Sequence, residues 1–347
     1  MCTAFFINKN PAVLSGQNYD FYYAHGLIVT NMRGLMKEGL SNAGGASVSW
    51  TSRYGNITLC QFGRELPICG MNEKGLAVSM LYHEDGEFPQ AYHNASLNEL
   101  QWIQYQLDCH ASVDEVIAKM HHVKPEKSMY TLHYMLADSS GKCVFVEFIQ
   151  GKPVISEHTD YAVLTNTSYE PSQAYARQYT SVPTNKLPRT VTSLDRFTLA
   201  SRLAVELFKK PGSLSIDGAF KLLNEVSIKP TLKSLLNWIG TKIPPTFTAW
   251  SVVFDLQNRK ICYTDQKNQK IRYFSLDDFD FDVKRPVLSI ILDNQLEGDI
   301  HSAFTPYRTS DNARIINISY KPIKAQFPAE MQNELIRYPD SFKKVSN

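Results

Sequence analysis

Cysteine at position 2, directly behind Met1, carries a nucleophile and a base on one residue once the methionine is removed. A free N-terminal cysteine has an α-amine titrating near ~7.7–8.0 and a thiol near ~8.5, so at neutral pH part of the amine is free to accept the thiol proton. An N-terminal amine is among the bases that turn a weak nucleophile into an effective one. A cysteine in second position is ordinary by itself, and the residues elsewhere in the chain decide its weight. Asp20 sits among Tyr19, Phe21, Tyr22 and Tyr23, a neighbourhood too aromatic for a solvated turn. Asn166 ends an apolar run, where asparagine is by default a turn residue.

The elements that must position these groups read as strands first. CTAFFI and AVLSGQNYDFYY flank a turn at Asn8–Pro11, and SVSWTSRYGNITLCQF alternates with period two around Tyr54-Gly55-Asn56, as a half-buried strand pair does. GMNEKGLAVSMLYH turns at Asn72–Gly75 and enters another strand. Helical spacing then appears at Leu100, Ile103 and Leu107, with Ser96 as the predicted cap and Glu99 three residues on. A second helix is predicted from Ser112, paired with Glu115. TLHYMLADSSGKCVFVEFIQGKPVISE reads as a series of hairpins and YAVLTN as a buried strand. SLDRFTLASRLAVELFKK is an amphipathic helix stopped by Pro211-Gly212, and FTAWSVVFDLQNRKICYTDQKNQKIRYFSL supplies two or three more antiparallel strands. Hairpin runs with helices between them favour antiparallel sheets covered by helices over alternating βαβ units.

The chain's 347 residues carry 36 basic and 34 acidic side chains without a basic block, so no nucleic-acid footprint is implied. No apolar run reaches the ~18–20 residues that span a bilayer. MCTAFFINKN lacks the charged and apolar regions of a signal peptide, which predicts a cytoplasmic protein as written, or a periplasmic or secreted one if Met1 replaced a leader. The six cysteines show no zinc spacing, and Cys143 and Cys262 read as buried small hydrophobes. His121-His122 lacks a third ligand at suitable spacing, His83-Glu84-Asp85 reads as a loop at a pocket rim, and no nucleotide-binding loop appears. Neither a metal nor a cofactor is expected.

Met-Cys-Thr at the start, GQNYDF at 16–21, WTSRYG at 50–55, GMNEKGL at 70–76, LTN at 164–166 and DRF at 195–197 resemble the choloylglycine hydrolase family, the bile salt hydrolases and penicillin V acylases. Its members are N-terminal-nucleophile amidases. GGASVSWTSRYGNIT at 44–58 and the short LTN-to-DRF spacing bring the chain closer to the Gram-negative, penicillin V acylase-like branch, some of whose members deacylate N-acyl homoserine lactones. The resemblance implies an α+β fold, an αββα four-layer sandwich of two antiparallel sheets flanked by helices. It covers residues 2–285; residues 286–347 read as a C-terminal extension, a strand plus an irregular tail.

The resemblance also implies roles. Cys2 matches the nucleophile, Asp20 the carboxylate that holds its α-amine, and Asn166 the side-chain donor to the oxyanion, a contribution of ~2.7–4 kcal/mol where such donors have been removed. Arg196 matches an arginine near the nucleophile, where a guanidinium would stabilise the thiolate; a salt bridge with Asp195 is its structural alternative. Tyr82 falls where the penicillin V acylases carry an aromatic residue. Its ring would stack on an acyl group and its backbone N–H would be a second oxyanion donor, with an ordinary strand tyrosine as the equal alternative. Gln17 is the departure, because the family carries arginine there, against the nucleophile and substrate; glutamine keeps some hydrogen bonding and loses the charge and the planar fork.

Two function classes follow. One is a cofactor-free amidase cleaving a hydrophobic acyl group from a small polar amine, with penicillin V, N-acyl homoserine lactones and conjugated bile salts as candidate small-molecule substrates in that order. The other is a weakly active or inactive relative, a scaffold binding an acylated ligand or a partner. The resemblance further implies a homo-oligomer, tetramer or dimer.

Overall fold

A computed structural model of the chain describes residues 1–40, 48–89, 95–210, 212, 214–230, 245–321 and 327–345. Positions 44–47 of the segment quoted above, and the helix stop at Pro211, lie outside the described residues.

Strands β1 (Cys2–Lys9) and β2 (Ala12–Phe21) form the first hairpin, in register Cys2↔Tyr19 and Ala4↔Gln17. The chain continues through β3 (Leu27–Asn31), β4 (Leu35–Glu38), β5 (Ser49–Thr51), β6 (Asn56–Cys60), β7 (Pro67–Asn72), β8 (Ala77–Tyr82) and β9 (Ser96–Asn98). Helices α1 (Gln101–Cys109) and α2 (Val113–Lys119) follow, then β10 (Lys124–Glu126), β11 (Leu132–Ala137), β12 (Cys143–Ile149), β13 (Lys152–His158) and β14 (Tyr161–Leu164). Helices α3 (Tyr169–Arg177), α4 (Ser193–Lys209) and α5 (Ile216–Glu225) precede β15 (Phe247–Asp255), β16 (Lys260–Asp265) and β17 (Arg272–Ser275). The C-terminal part holds β18 (Leu288–Ile291), β19 (Gly298–Asp299), β20 (Thr305–Pro306), α6 (Thr309–Tyr320) and α7 (Ala329–Arg337).

The strands assemble into two large sheets, β14-β1-β2-β15-β16-β17-β19 and β13-β12-β11-β8-β7-β6-β3-β18-β20, antiparallel apart from the β17–β19 pair. Period-two alternation along β1 sorts the layers. Cys2, Ala4 and Phe6 join the main core, which holds the facing sheet's Met80 and Leu81, whereas Phe5 and Ile7 meet α4 and α5 through Phe197, Ala200 and Leu223. On the second sheet, α1 lies against β7 and β8, and α6 packs on β3, with Ile315 against Leu27 and Val29. The four-layer αββα architecture expected of the chain is therefore its fold. No helix among the described residues is long and apolar enough to cross a membrane.

Three local expectations change. β5 pairs with β4 in a small sheet and not with β6, because Gly55 is pressed under Phe281, where a Cβ would come within 2.1 Å of its side chain. Ser96 caps no helix: it lies in β9, paired in parallel with β10, and its hydroxyl bonds Glu126 at 2.7 Å. The first free N–H groups of α1 are met by Asn98 Oδ1, at 2.9 Å from Leu100 N. The predicted cap at Ser112 forms, its hydroxyl accepting from Glu115 N. Finally, the tail after 286 is not irregular. Its scattered apolar residues are at helical spacing in α6 and α7, and Ile316, Tyr320 and Leu335 reach the main core.

Candidate active site

Cys2 opens β1 at the rim between the sheets and is 2% exposed. Its backbone N–H donates to Asn166 Oδ1 at 3.0 Å, and Asn166 Nδ2 donates to the Tyr82 carbonyl at 2.8 Å. Arg196, on the first turn of α4, reaches across. Its Nη1 donates to the Cys2 carbonyl and to Thr3 Oγ1, both at 2.5 Å, and its Nη2 donates to Asn166 Oδ1 at 2.6 Å. Asp20, at the far end of β2, lies 3.8 Å from Arg196 Nη1. Its Oδ1 accepts from Thr248 Oγ1 at 2.5 Å, while its Oδ2 is buried and without a hydrogen bond. Four of the residues singled out in the sequence, Cys2, Asp20, Asn166 and Arg196, thus form one cluster, and Tyr82 joins it through its carbonyl.

Local chemistry fixes each group. Thr192 caps α4 by accepting from Asp195 N, which aims the first turn, and Arg196 with it, at the start of β1. Ser193 Oγ accepts from the backbone N–H of Asn166 at 2.9 Å and of Thr167 at 2.8 Å, so the end of β14 is pinned to that same turn. Asp195 is engaged elsewhere, by Tyr175 OH at 2.8 Å and by Thr190, which removes the salt-bridge alternative for Arg196. Ser193, Thr248 and Thr3 escaped the sequence reading; a serine in a helix's first turn and two strand threonines carry no distinguishing local signal.

Burial pushes the Cys2 thiol up, the chain's terminal ammonium pulls it down, the Asp20 carboxylate raises it, and the Asp20 backbone N–H and Arg196 lower it by lesser amounts, Arg196 least. The net displacement is upward, so the resting group is a thiol. Arg196 acts on the thiol in the expected direction, lowering it, while its guanidinium bonds the Cys2 carbonyl, Thr3 and Asn166. Burial also raises Asp20, against the pull of Arg196 and the terminal ammonium.

Gln17 does not line the cavity. Its Nε2 donates to the Met80 carbonyl at 2.5 Å across the sandwich, and its Oε1 is buried without a partner. His83 is likewise buried behind the site and not at a rim. It stacks on His133 with centroids 4.2 Å apart and planes 11° from parallel, next to Glu147. These three could be taken for metal ligands. Near-parallel rings in face-to-face contact keep their in-plane lone pairs from converging on one ion, and the Nε2 atoms are engaged, His133 with the Thr165 carbonyl at 2.6 Å and His83 with Ser168 Oγ at 2.9 Å. The cluster instead braces the strand end that carries Asn166.

A cavity of about 380 Å³ opens beside Cys2, within the range of small-molecule sites. Its walls include Phe21, Phe62, Leu66, Met80 and Leu132. The Tyr82 ring stands at its side against Tyr130, edge to face at 5.8 Å. Glu99, expected as a helix-capping partner, accepts instead from the backbone N–H groups of Ser128 at 2.8 Å and Met129 at 2.9 Å, holding the wall that contains Tyr130. A larger depression of about 770 Å³, lined by Asp217, Lys221 and Gln269, includes none of the cluster residues.

A model of the linear amide C–N hydrolases, choloylglycine hydrolase family, matches residues 2–289. The chain belongs to this family. A penicillin V acylase of Pectobacterium atrosepticum is 34% identical over a match that spans 48% of this chain and 50% of that relative, so the chain aligns with about half of its length. The solved penicillin V acylase of Agrobacterium tumefaciens is 25% identical with a TM-score of 0.76, covering 89% of this chain and 98% of that one. A conjugated bile acid hydrolase of Clostridium perfringens shares the fold at 18% identity, TM-score 0.72, over 86% of this chain and 98% of that one.

Proposed function

We propose that this choloylglycine hydrolase family member is a cofactor-free amidase that uses Cys2, freed of the residue preceding it, to cleave a hydrophobic acyl group from a small polar amine. The observation that carries the reading is the Cys2–Asn166–Arg196 cluster at the mouth of an apolar cavity. The thiol proton passes to the Cys2 amine as Sγ attacks the amide carbonyl. The tetrahedral oxyanion takes the second N–H of Asn166 Nδ2, since the first is held by the Tyr82 carbonyl. Collapse expels the amine, protonated by the same α-amino group, and leaves a thioester for water to hydrolyse.

A second donor is at hand. His83 N bonds Thr131 O across the β8–β11 ladder, so alternation turns the N–H and C=O of Tyr82 away from β11, to the side where its carbonyl meets Asn166. The aromatic lining supports an aryl or alkyl acyl group, and on this reading penicillin V-type and N-acyl homoserine lactone substrates rank ahead of conjugated bile salts. Assembly into a dimer or tetramer belongs to the same reading and is checked by light scattering.

The test is intact mass before and after a brief iodoacetamide pulse, with Cys2→Ala as control, followed by hydrolysis of the three candidate classes. Loss of Met1, one fast Cys2-dependent adduct and Cys2-dependent turnover are expected. Retained Met1, or labelling indifferent to Cys2→Ala, leaves the binding scaffold as the surviving reading.

A further inference from the structure

We propose that helix α6, which lies beyond the family-matched residues 2–289, builds the end wall of the acyl cavity through Tyr320 and so restricts it to single-ring aryl or short alkyl acyl groups. The inference rests on the amidase reading for its substrate and on the cavity alone for its geometry. Tyr320 ends α6, is buried, and lines the same cavity as Cys2.

The wall between them is continuous. Cys2 pairs in register with Tyr19, whose ring stacks on Phe21 at 5.6 Å. Phe21 meets Phe62 edge to face at 5.6 Å, and Phe62 meets Tyr320 edge to face at 5.7 Å. Tyr320 in turn contacts Phe327, at 4.8 Å, so the C-terminal chain backs it from outside.

The helix is fastened to the segment that lines the cavity. Ser319 Oγ donates to the Gln61 carbonyl at 2.9 Å, and Asn312 Oδ1 accepts from Arg64 N at 2.8 Å. Between them Gly63 adopts φ +124°, where a side chain would be strained and its Cβ would approach Ile316 to 3.0 Å. Gln61 also accepts from the Tyr19 hydroxyl, which ties the cavity's inner strand to the tail's docking point. Further along, Tyr338 OH donates to the Glu38 carbonyl at 2.6 Å and accepts from Gln101 Nε2 at 2.6 Å, closing the tail onto β4 and α1. A side chain so supported forms a fixed end to the cavity, and a fixed apolar end discriminates by length, at about 10–200-fold for a methylene.

Tyr320→Ala and Tyr320→Trp test this, one emptying and one filling the end of the cavity. Hydrolysis of phenoxyacetyl, hexanoyl and dodecanoyl amides of one amine is measured, and calorimetry follows binding of the corresponding free acids to the same variants in a Cys2→Ala background. Tyr320→Ala is expected to move the dodecanoyl-to-phenoxyacetyl preference upward by at least about 10-fold, and Tyr320→Trp to move it downward. An unchanged preference in the binding series, or equal loss for every acyl group, overturns the inference. Absence of turnover in the unmodified chain alongside a shifted binding preference would sink the amidase reading and leave the wall standing. Should Tyr320→Ala fail to fold, the downward shift in Tyr320→Trp decides the matter.

Discussion

Replacing Asn166 separates its two duties, because its oxygen and its nitrogen serve different partners. Oδ1 accepts from Cys2 N at 3.0 Å and from Arg196 Nη2 at 2.6 Å, while Nδ2 spends one N–H on the Tyr82 carbonyl and has one left for the reacting carbonyl oxygen. Asn166→Ala removes everything. It strands the Cys2 N–H and the Arg196 Nη2 in a buried site, at about 1–3 kcal/mol of stability each, and removes the oxyanion donor, at ~2.7–4 kcal/mol or about 10²–10³-fold in kcat. Asn166→Asp keeps both acceptor contacts, one of them to a guanidinium, but has no donor and presents a negative charge to the developing oxyanion. Two orderings therefore cross: Asn166→Asp is the more stable variant in urea unfolding, yet its kcat is no higher than that of Asn166→Ala, with KM changed far less than kcat in both. Stopped-flow kinetics on a chromogenic acyl amide and urea midpoints measure the two orderings. An Asn166→Asp enzyme within 10-fold of the parent, or activity that simply tracks stability, would refute the oxyanion role.

Arg196→Lys, which cannot fork across the Cys2 carbonyl, Thr3 and Asn166, is expected to lower kcat by up to ~10²-fold through misplacement, while the pH midpoint of Cys2 alkylation stays put, since Arg196 is the weakest of the charges acting on the thiol. Glu99→Gln removes a charged acceptor from the 128–130 wall, costing about 1.5–3 kcal/mol locally, and hydrogen exchange at Ser128 and Met129 should accelerate with KM rising more than kcat falls. Burial drives His83 down to about 3 and His110 and His158 down to about 4, from an ordinary value of 6.5. At these three histidines the unfolded chain binds more protons than the folded one between pH 6.5 and 4, opposed at the acid end by Asp20 and Glu65, whose carboxyls burial raises. Stability should fall as pH falls through that window, by up to ~1.4 kcal/mol per pH unit for each histidine; urea midpoints that are flat from pH 6.5 to 4.5 would contradict this.

The site residues were legible through the resemblance of Met-Cys-Thr, GQNYDF, LTN and DRF to one family, which implied Cys2, Asp20, Asn166 and Arg196. The fold adds how they are held: strand alternation puts Cys2 on the same side as Ala4 and Phe6, and the cap at Thr192 aims Arg196. What local sequence conceals is which partner a polar residue finds at long range. Glu99 stands three residues after Ser96 and looks like a capping partner, yet it binds backbone 29 and 30 residues downstream, because β9 pairs with β10 and removes Ser96 from the helix. The partners of Arg196 are hidden for the same reason, since only the fold shows that its Nη atoms reach oxygens of Cys2, Thr3 and Asn166. The tail looked irregular because its apolar residues are few, and those few are enough when each faces an existing surface: Ile315 on β3, Ile316 over Gly63, Tyr320 at the cavity.

Asp20 connects the cluster to the processing that the amidase reading requires. With Met1 in place, the start of the chain completes a two-bond exchange with Asp20, Met1 N donating to the Asp20 carbonyl and Asp20 N to the Met1 carbonyl, both at 3.0 Å. Meanwhile the Cys2 nitrogen is an amide with a single hydrogen, already given to Asn166, and Asp20 Oδ2 is buried with no donor. Losing the preceding residue breaks two backbone bonds, each of which contributes about 0.5–1.5 kcal/mol. It also turns the Cys2 nitrogen into an amine with further hydrogens and a charge, near a buried carboxylate that already faces Arg196 and Thr248. A buried carboxylate oxygen without a hydrogen bond is costly, and a charge-assisted bond is roughly twice as strong as a neutral one. On the amidase reading, processing moves the terminal ammonium from Met1 to Cys2 and gives Asp20 Oδ2 a hydrogen-bond donor in addition to the ion pair with Arg196. Asp20→Asn, which removes the charge to be compensated, should narrow the stability difference between Met1-bearing and processed protein, and an unaltered difference would show that the amine and Asp20 do not meet.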